Sequence, residues 1–314
     1  MRSKIKNLID NSSSILLLTH ESPDGDAVGS ILSFYHYLIS VNKSVDMVIL
    51  DVPKVFNFLP SIDKIVDNVD RDYDLGIVLD CASREKIGQN DDLFSRCRET
   101  IVIDHHVSNT NYGNINYVMG DISSCCQVVY YLFKDLDISI NKEIGESIIT
   151  GVLTDTNGFG HNGVDGNTFK LASELIDVGV DIHSIYQKVL WIKTMSQYNL
   201  MKIGMERLEF LYDGKVAFTY ILEDDFNKVG AILGEHEGIV DIGRNIDGVL
   251  VSIFIRENNG WSISLRSTGM IDVGKIALNL GGGGHRMASG GKLYGSLEEV
   301  KTRVINEVEK VLFD

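Results

Sequence analysis

The run Ile101-Val102-Ile103-Asp104-His105-His106 is a β-branched aliphatic stretch that stops abruptly in one carboxylate and two imidazoles. Such a run has the pattern of a strand buried on both faces, as in a parallel sheet, with polar groups delivered to its carboxyl edge. That edge is where open α/β sheets hold their ligands. Three other stretches repeat the form. Residues 14–20 run apolar into Thr19-His20 and then Glu21-Ser22-Pro23-Asp24-Gly25-Asp26, residues 75–80 end in Asp80, and residues 148–155 end in Thr154-Asp155. Parallel, adjacent strands would bring His20, Asp24, Asp26, Asp80, Asp104, His105, His106 and Asp155 into one small volume. Unpaired, these groups could not share a buried cleft, because mutual repulsion and desolvation cost too much. Divalent cations resolve the conflict.

The bulk properties bound what such a site can serve. A chain of 314 residues, 44% of them hydrophobic, is too long for one ordinary core and suits two domains. The net charge of -15 excludes a uniform basic face for long duplex nucleic acid or an anionic membrane. A short phosphorylated ligand held through metal remains compatible with it. Residues 1–18 lack a signal-peptide core, and no stretch reaches the roughly 20 apolar residues of a membrane helix. Cys81, Cys97, Cys125 and Cys126 show no C-x-x-C spacing and read as reduced packing thiols, which points to the cytoplasm.

In chain order, residues 27–40 carry Val28, Ile31, Leu32, Tyr35 and Leu38 at helical spacing, with Asp26 as the expected N-cap. A strand is expected at residues 44–50. Beyond Asp80, Arg84 is placed either to reach a phosphate or to form a surface ion pair. Ser123-Ser124 precede an apolar helix, where their hydroxyls suit an anion or a simple cap. Residues 144–153 read as helix or strand. The spacing predicts helices over 167–178 and 182–192. The expected organisation is a catalytic domain at 1–190, a linker at 191–206 and a second domain at 207–314. The first is α/β, a mostly parallel sheet flanked by helices. The second is a smaller α+β domain with a hairpin at Asp213-Gly214, another at Asn258-Asn259-Gly260, a glycine run at 281–284 and a terminal helix opened by a Ser296/Glu299 capping box.

Carboxylate and imidazole donors without thiolate suit manganese, magnesium or iron better than structural zinc. Eight groups are too many for one ion and suit two. A pair of ions roughly 3.5 to 4 Å apart clamps phosphoryl oxygens for in-line attack, so the implied chemistry is phosphate ester hydrolysis.

The segments His20-Glu21-Ser22-Pro23-Asp24-Gly25-Asp26, Leu79-Asp80, Asp104-His105-His106 and Thr154-Asp155-Thr156 resemble the four motifs of the DHH phosphoesterase family. Ser264-Leu265-Arg266-Ser267 and residues 281–290, from Gly281 through His285 to Gly290, resemble its associated substrate domain. Within the family, the resemblance is to bacterial oligoribonucleases that also dephosphorylate 3'-phosphoadenosine-5'-phosphate. It implies that His20, Asp24 and Asp80 hold one ion and that Asp26, Asp80, His105 and Asp155 hold another, manganese ahead of magnesium, with Asp80 shared. Asp104 would orient a ligand histidine and His106 would face the substrate. Arg266, Ser267, the Gly283-Gly284 backbone and His285 would bind a short single-stranded RNA or nucleotide, with the domains closing on it and a homodimer allowed. Ser289 stands where the family usually has Ala. Competing readings are hydrolysis of pyrophosphate or polyphosphate, of linear or cyclic dinucleotides, and a nucleotide-binding sensor without activity. The glycine run with His285 favours a nucleotide over pyrophosphate, and a pure binder has no need of a shared pair of ions.

Overall fold

A computed structural model describes residues 1–161 and 163–313. The chain forms two compact units, Met1–Ile192 and Lys193–Asp314.

The first unit is built on strands β1 (Ser14–Leu18), β2 (Ser44–Val48), β3 (Ile65–Val66), β4 (Tyr73–Leu79), β5 (Cys97–Asp104) and β6 (Ile115–Val118). They pair in the order β3-β2-β1-β4-β5-β6, and every pair is parallel. The helices are α1 (Arg2–Asn11), α2 (Gly25–Ser40), α3 (Asp91–Ser95), α4 (Cys125–Asp135), α5 (Lys142–Asp155), α6 (Gly166–Asp177) and α7 (Ile182–Tyr186). Alternate side chains of β1 leave on opposite faces. Ile15 and Leu17 join one core with α1, α2, α4 and α5, while Leu16 and Leu18 join another with Phe94 of α3. Both faces are covered, which is why the strands read as unbroken apolar runs. From β1 the chain proceeds to β2 on one side, and from β4 it proceeds to β5 on the other. The point where strand order reverses therefore lies between β1 and β4, whose ends carry His20 and Asp80.

Three expectations need correction here. Residues 148–155 are not a strand but the end of the 14-residue α5, capped by the Asn141 side chain. Ile144, Ile148, Ile149, Val152 and Leu153 are all buried, so α5 is enclosed and its sequence loses the one-sided period that marks a surface helix. Asp26 is not the cap of α2. The helix starts at Gly25, and Asp24 caps it through Oδ1, which accepts from the amides of Asp26 and Ala27. The stretch expected as a linker, 191–206, is mostly helix α8 (Met195–Glu206), whose Leu200 is buried against Ile221 and Ile239. Its apolar residues are spread thinly enough to resemble a connection.

The second unit continues with β7 (Glu209–Leu211), β8 (Val216–Ile221), α9 (Glu223–Val229), α10 (Ile239–Arg244), β9 (Val251–Glu257), β10 (Trp261–Ser267), α11 (Val273–Asn279), β11 (Gly283–Gly284), β12 (Ala288–Leu293) and α12 (Leu297–Leu312). Its sheet has the order β11-β12-β10-β9-β8-β7, antiparallel except between β8 and β9. Asp213 and Gly214 both take positive φ, 54° and 84°, and Lys215 N–H bonds to Tyr212 O at 3.1 Å, the turn that a tight hairpin requires. The Ser296/Glu299 capping box opens α12 as expected.

Candidate metal centre

Each group reaches the centre by a different local device. β1 ends at Leu18 and releases His20, while Asp80 follows β4 in a left-handed conformation, φ 55°, with its amide bonded to Ile103 O at 3.0 Å. That turn points the Asp80 carboxylate inward instead of along the sheet edge. Asp104 is the last residue of β5, and His105 and His106 follow it directly.

Asp26 is held by another helix. Its Oδ2 and Oδ1 accept the backbone amides of Cys125 and Cys126 at 2.5 and 2.8 Å, in the first turn of α4. Ser124 is the simple cap of that helix, accepting from Gln127 N–H at 3.1 Å, so the anion at this helix terminus belongs to the protein itself. Glycines allow the three helices to meet. A Cβ on Gly29 would lie 2.4 Å from Ser147 O, and one on Gly151 would lie 2.3 Å from Cys126 Sγ and 2.6 Å from Asp26 Oδ1. This close packing of α2, α4 and α5 puts Asp155, at the end of α5, beside residues that come from the sheet.

The donors converge in three overlapping groups: His20, Asp24 and Asp80; Asp26, His105 and Asp155; and Asp80, Asp104, His105 and His106. His20 Nε2 lies 3.7 Å from Asp80 Oδ2. His105 Nε2 lies 3.6 Å from Asp80 Oδ1, 3.6 Å from Asp155 Oδ2 and 3.9 Å from Asp26 Oδ2. The two oxygens of Asp80 thus face different histidines. Asp80 Oδ1 is buried and has no hydrogen-bond partner among the described residues, which a protein tolerates poorly unless a cation serves that oxygen.

The electrostatics agree. Burial first, then Asp26 and Asp24, pushes Asp80 well above the ordinary carboxylate range, and burial also raises Asp26. Asp155 is pushed up to about 8 by burial and by Asp26. Burial alone would lower His105, but Asp80, Asp26 and Asp155 outweigh it and push it up to about 9. Burial lowers His20. A cluster that retains protons in this way exchanges them for divalent cations, and the all-oxygen-and-nitrogen donor set fits such ions.

Asp104 is fully buried and orients one histidine, His106. Its Oδ1 accepts from His106 Nδ1 at 2.7 Å and from the His105 amide at 2.8 Å, while Oδ2 accepts from Asn109 Nδ2 at 2.6 Å. Burial works against the charge, yet the bonds from His106 and Asn109 hold the carboxyl below its usual range. His105 is oriented separately, by Ile122 O at 3.1 Å from its Nδ1. Sequence reasoning missed Asn109 and the α4 amides. Asn109 carried a faint signal in lying five residues beyond Asp104, but backbone donors leave none. Arg84 takes up the ion pair, one of its two expected roles. It forms a two-pronged pair with Asp91 at 2.6 and 3.0 Å and also bonds Ser95, so its guanidinium is committed to α3. Cys81 is buried, its thiol pushed up to about 11 by burial, and it packs.

In the second unit, Arg266 lies on β10 opposite Ala288 of β12. His285 N–H bonds Ala288 O at 2.7 Å in the turn between β11 and β12, and Ala288 is the residue that pairs with Arg266. Ser267 is buried and accepts from Gly269 N–H at 3.0 Å. Gly284 must be glycine, since a Cβ there would sit 2.5 Å from Ser289 Cα. The Ser289 hydroxyl donates to Val273 O at 2.6 Å and anchors the start of α11.

The N-terminal domain of the DHH family matches residues 14–154, and the DHHA1 domain matches residues 213–313. The bifunctional oligoribonuclease and PAP phosphatase NrnA of Thermus thermophilus is 31% identical over 304 residues, 95% of this chain and 90% of that protein. The protein of the same name from Bacillus subtilis is 27% identical over 301 residues, 94% of each. The crystal structure of an exopolyphosphatase-related protein from Bacteroides fragilis superposes with a TM-score of 0.92 at 30% identity, covering 98% of this chain and 95% of that one. The strand-end carboxylates and imidazoles and these matches lead to one conclusion: the chain belongs to the DHH family of phosphoesterases, hydrolases of phosphate ester bonds, and carries a DHHA1 domain.

Proposed function

We propose that this protein hydrolyses short oligoribonucleotides to mononucleotides and 3'-phosphoadenosine-5'-phosphate to AMP, using two divalent ions, manganese ahead of magnesium. The observation that carries the two-ion reading is the split of the Asp80 carboxylate, Oδ2 toward His20 and Oδ1 toward His105, at 3.7 and 3.6 Å. The substrate reading is supported by the full-length likeness to proteins named as oligoribonucleases and PAP phosphatases.

His20, Asp24 and Asp80 would hold one ion, and Asp26, Asp80, His105 and Asp155 the other. Bound ions of this kind neutralise phosphoryl charge and make water a better nucleophile at neutral pH. The chain's own part is positional. The α4 amides fix Asp26, Ile122 O fixes His105, and Asp104 with Asn109 fixes His106. With Nδ1 engaged by Asp104, His106 is assigned to the phosphoryl oxygens or the leaving group. Arg266, Ser267, Gly283, Gly284 and His285 of the second unit contribute contacts to the nucleotide. The acidic surface, net -15, discourages long anionic polymers.

The test is manganese-dependent hydrolysis of a labelled RNA series from dinucleotide to twenty-odd nucleotides. 3'-phosphoadenosine-5'-phosphate, pyrophosphate and polyphosphate run alongside, with wild type and Asp80→Ala compared. Loss of the shortest RNAs first, absent in the variant, is the expected result. Hydrolysis of pyrophosphate or polyphosphate alone would move the chain to another substrate class within the family.

A further inference from the structure

After Asp155 and Thr156 the backbone takes three successive residues of positive φ, Asn157 at 48°, Gly158 at 68° and Phe159 at 68°. Asparagine and glycine accept that region readily, whereas a bulky aromatic does so only when its surroundings impose it. Here they do. Gly158 N–H bonds Leu153 O at 2.8 Å, Phe159 N–H bonds Thr156 Oγ1 at 2.9 Å, and the amides of Gly160 and His161 both bond Thr156 O, at 2.9 and 3.0 Å. Thr156 is itself buried. His161 Nδ1 donates to Asp155 O at 3.0 Å and closes the loop onto the metal-ligand residue. Beneath it, a Cβ on Gly158 would come within 2.6 Å of the Tyr186 ring, so only glycine fits where the loop packs on that ring.

The strain fixes the position of one ring. Phe159 stacks on Phe169 of α6, centroids 5.2 Å apart and planes 29° from parallel. Phe159 is half-buried, but Phe169 is 56% exposed. A single exposed aromatic means little. A stacked pair whose outer ring is open to solvent, held by an over-determined loop one turn from Asp155, is a surface with a flat, uncharged π-face beside the candidate centre.

We propose that the Phe159–Phe169 pair is a nucleobase platform, on whose open ring a base of the substrate stacks. This rests on the nucleotide reading above and deepens it. With a net charge of -15, most of the surface gains little from the substrate's backbone, so an uncharged π-face adds affinity beside the metals and the Arg266 and His285 contacts, and every base offers a π-face. Stacking is sequence-tolerant and follows ring size, so purines bind more tightly than pyrimidines.

The experiment is steady-state kinetics of the manganese-loaded, full-length protein on adenine and uracil dinucleotides, on a dinucleotide analogue with one base absent, and on pyrophosphate. Wild type, Phe169→Ala and Phe169→Trp are compared. Because Phe169 is exposed, its truncation leaves the fold intact, which a thermal melt checks. Phe169→Ala is expected to raise KM for the adenine dinucleotide by about 5- to 100-fold with kcat nearly unchanged. It raises KM less for the uracil dinucleotide and leaves the abasic analogue within about twofold, while Phe169→Trp restores tight binding. An equal rise in KM for base-bearing and abasic substrates, or no rise for either, overturns the platform while leaving the nucleotide reading standing. A wild type that turns over pyrophosphate and no nucleotide overturns both.

Discussion

At the scale of single residues, the site separates side chains proposed to meet the ions from side chains that hold other side chains. Asp104 belongs to the second kind. Replacing it by Asn keeps the volume but removes the charge that receives His106 Nδ1. Asp104→Asn should therefore lower kcat by roughly 10- to 100-fold with manganese content preserved, a split that metal analysis beside kinetics measures. A second residue-scale prediction concerns His236 in the second unit. It lies among Phe226 and Phe254, and burial, then the nearby Arg256, lowers it from 6.5 to about 4. A histidine whose folded pKa lies below its unfolded value contributes stability that is complete above pH 6.5 and is lost as pH falls toward 4. The loss is on the order of 3 kcal/mol. His236→Phe should flatten this part of the stability profile, as urea unfolding at pH 7 and pH 4.5 will show. An unchanged slope would assign the acid sensitivity to other groups.

At the scale of elements, the glycine contacts make α5 the most demanding helix. Gly151→Ala forces a methyl into the space of Cys126 Sγ and Asp26 Oδ1. The variant should lose about 1 to 3 kcal/mol of stability and, by shifting Asp26, bind manganese more weakly. Calorimetry of the metal-free and metal-loaded protein separates the two effects. A variant with full stability and full affinity would show that α2 and α5 have slack here. The same packing explains what the sequence could and could not reveal. β1, β4 and β5 were legible because a parallel strand buried on both faces leaves an unbroken apolar run that ends where the polar groups begin. α5 was ambiguous for the same reason, since enclosure on every side erased its period. α8 was mistaken for a linker because only Leu200 and Gly204 of its twelve residues are buried. The hairpins at Asp213-Gly214 and Asn259-Gly260 were legible because their positive φ values demand those residue types.

At the scale of the whole molecule, the donor residues come from the ends of β1, β4 and β5 and from two helices, so they were separable in sequence yet meet only through the order β3-β2-β1-β4-β5-β6. The identity of the groups could be read from motifs. Their partners could not, because the amides of Cys125 and Cys126, the carbonyl of Ile122 and the committed pair of Arg84 with Asp91 depend on packing distant in the chain. The central claim is that Asp80 is shared between two ions. Native mass spectrometry of the manganese-loaded protein, wild type beside Asp80→Ala, tests it most directly. The account predicts two manganese ions per chain in the wild type and loss of tight binding at both positions in the variant. A single ion in the wild type, or two ions retained without Asp80, would contradict it.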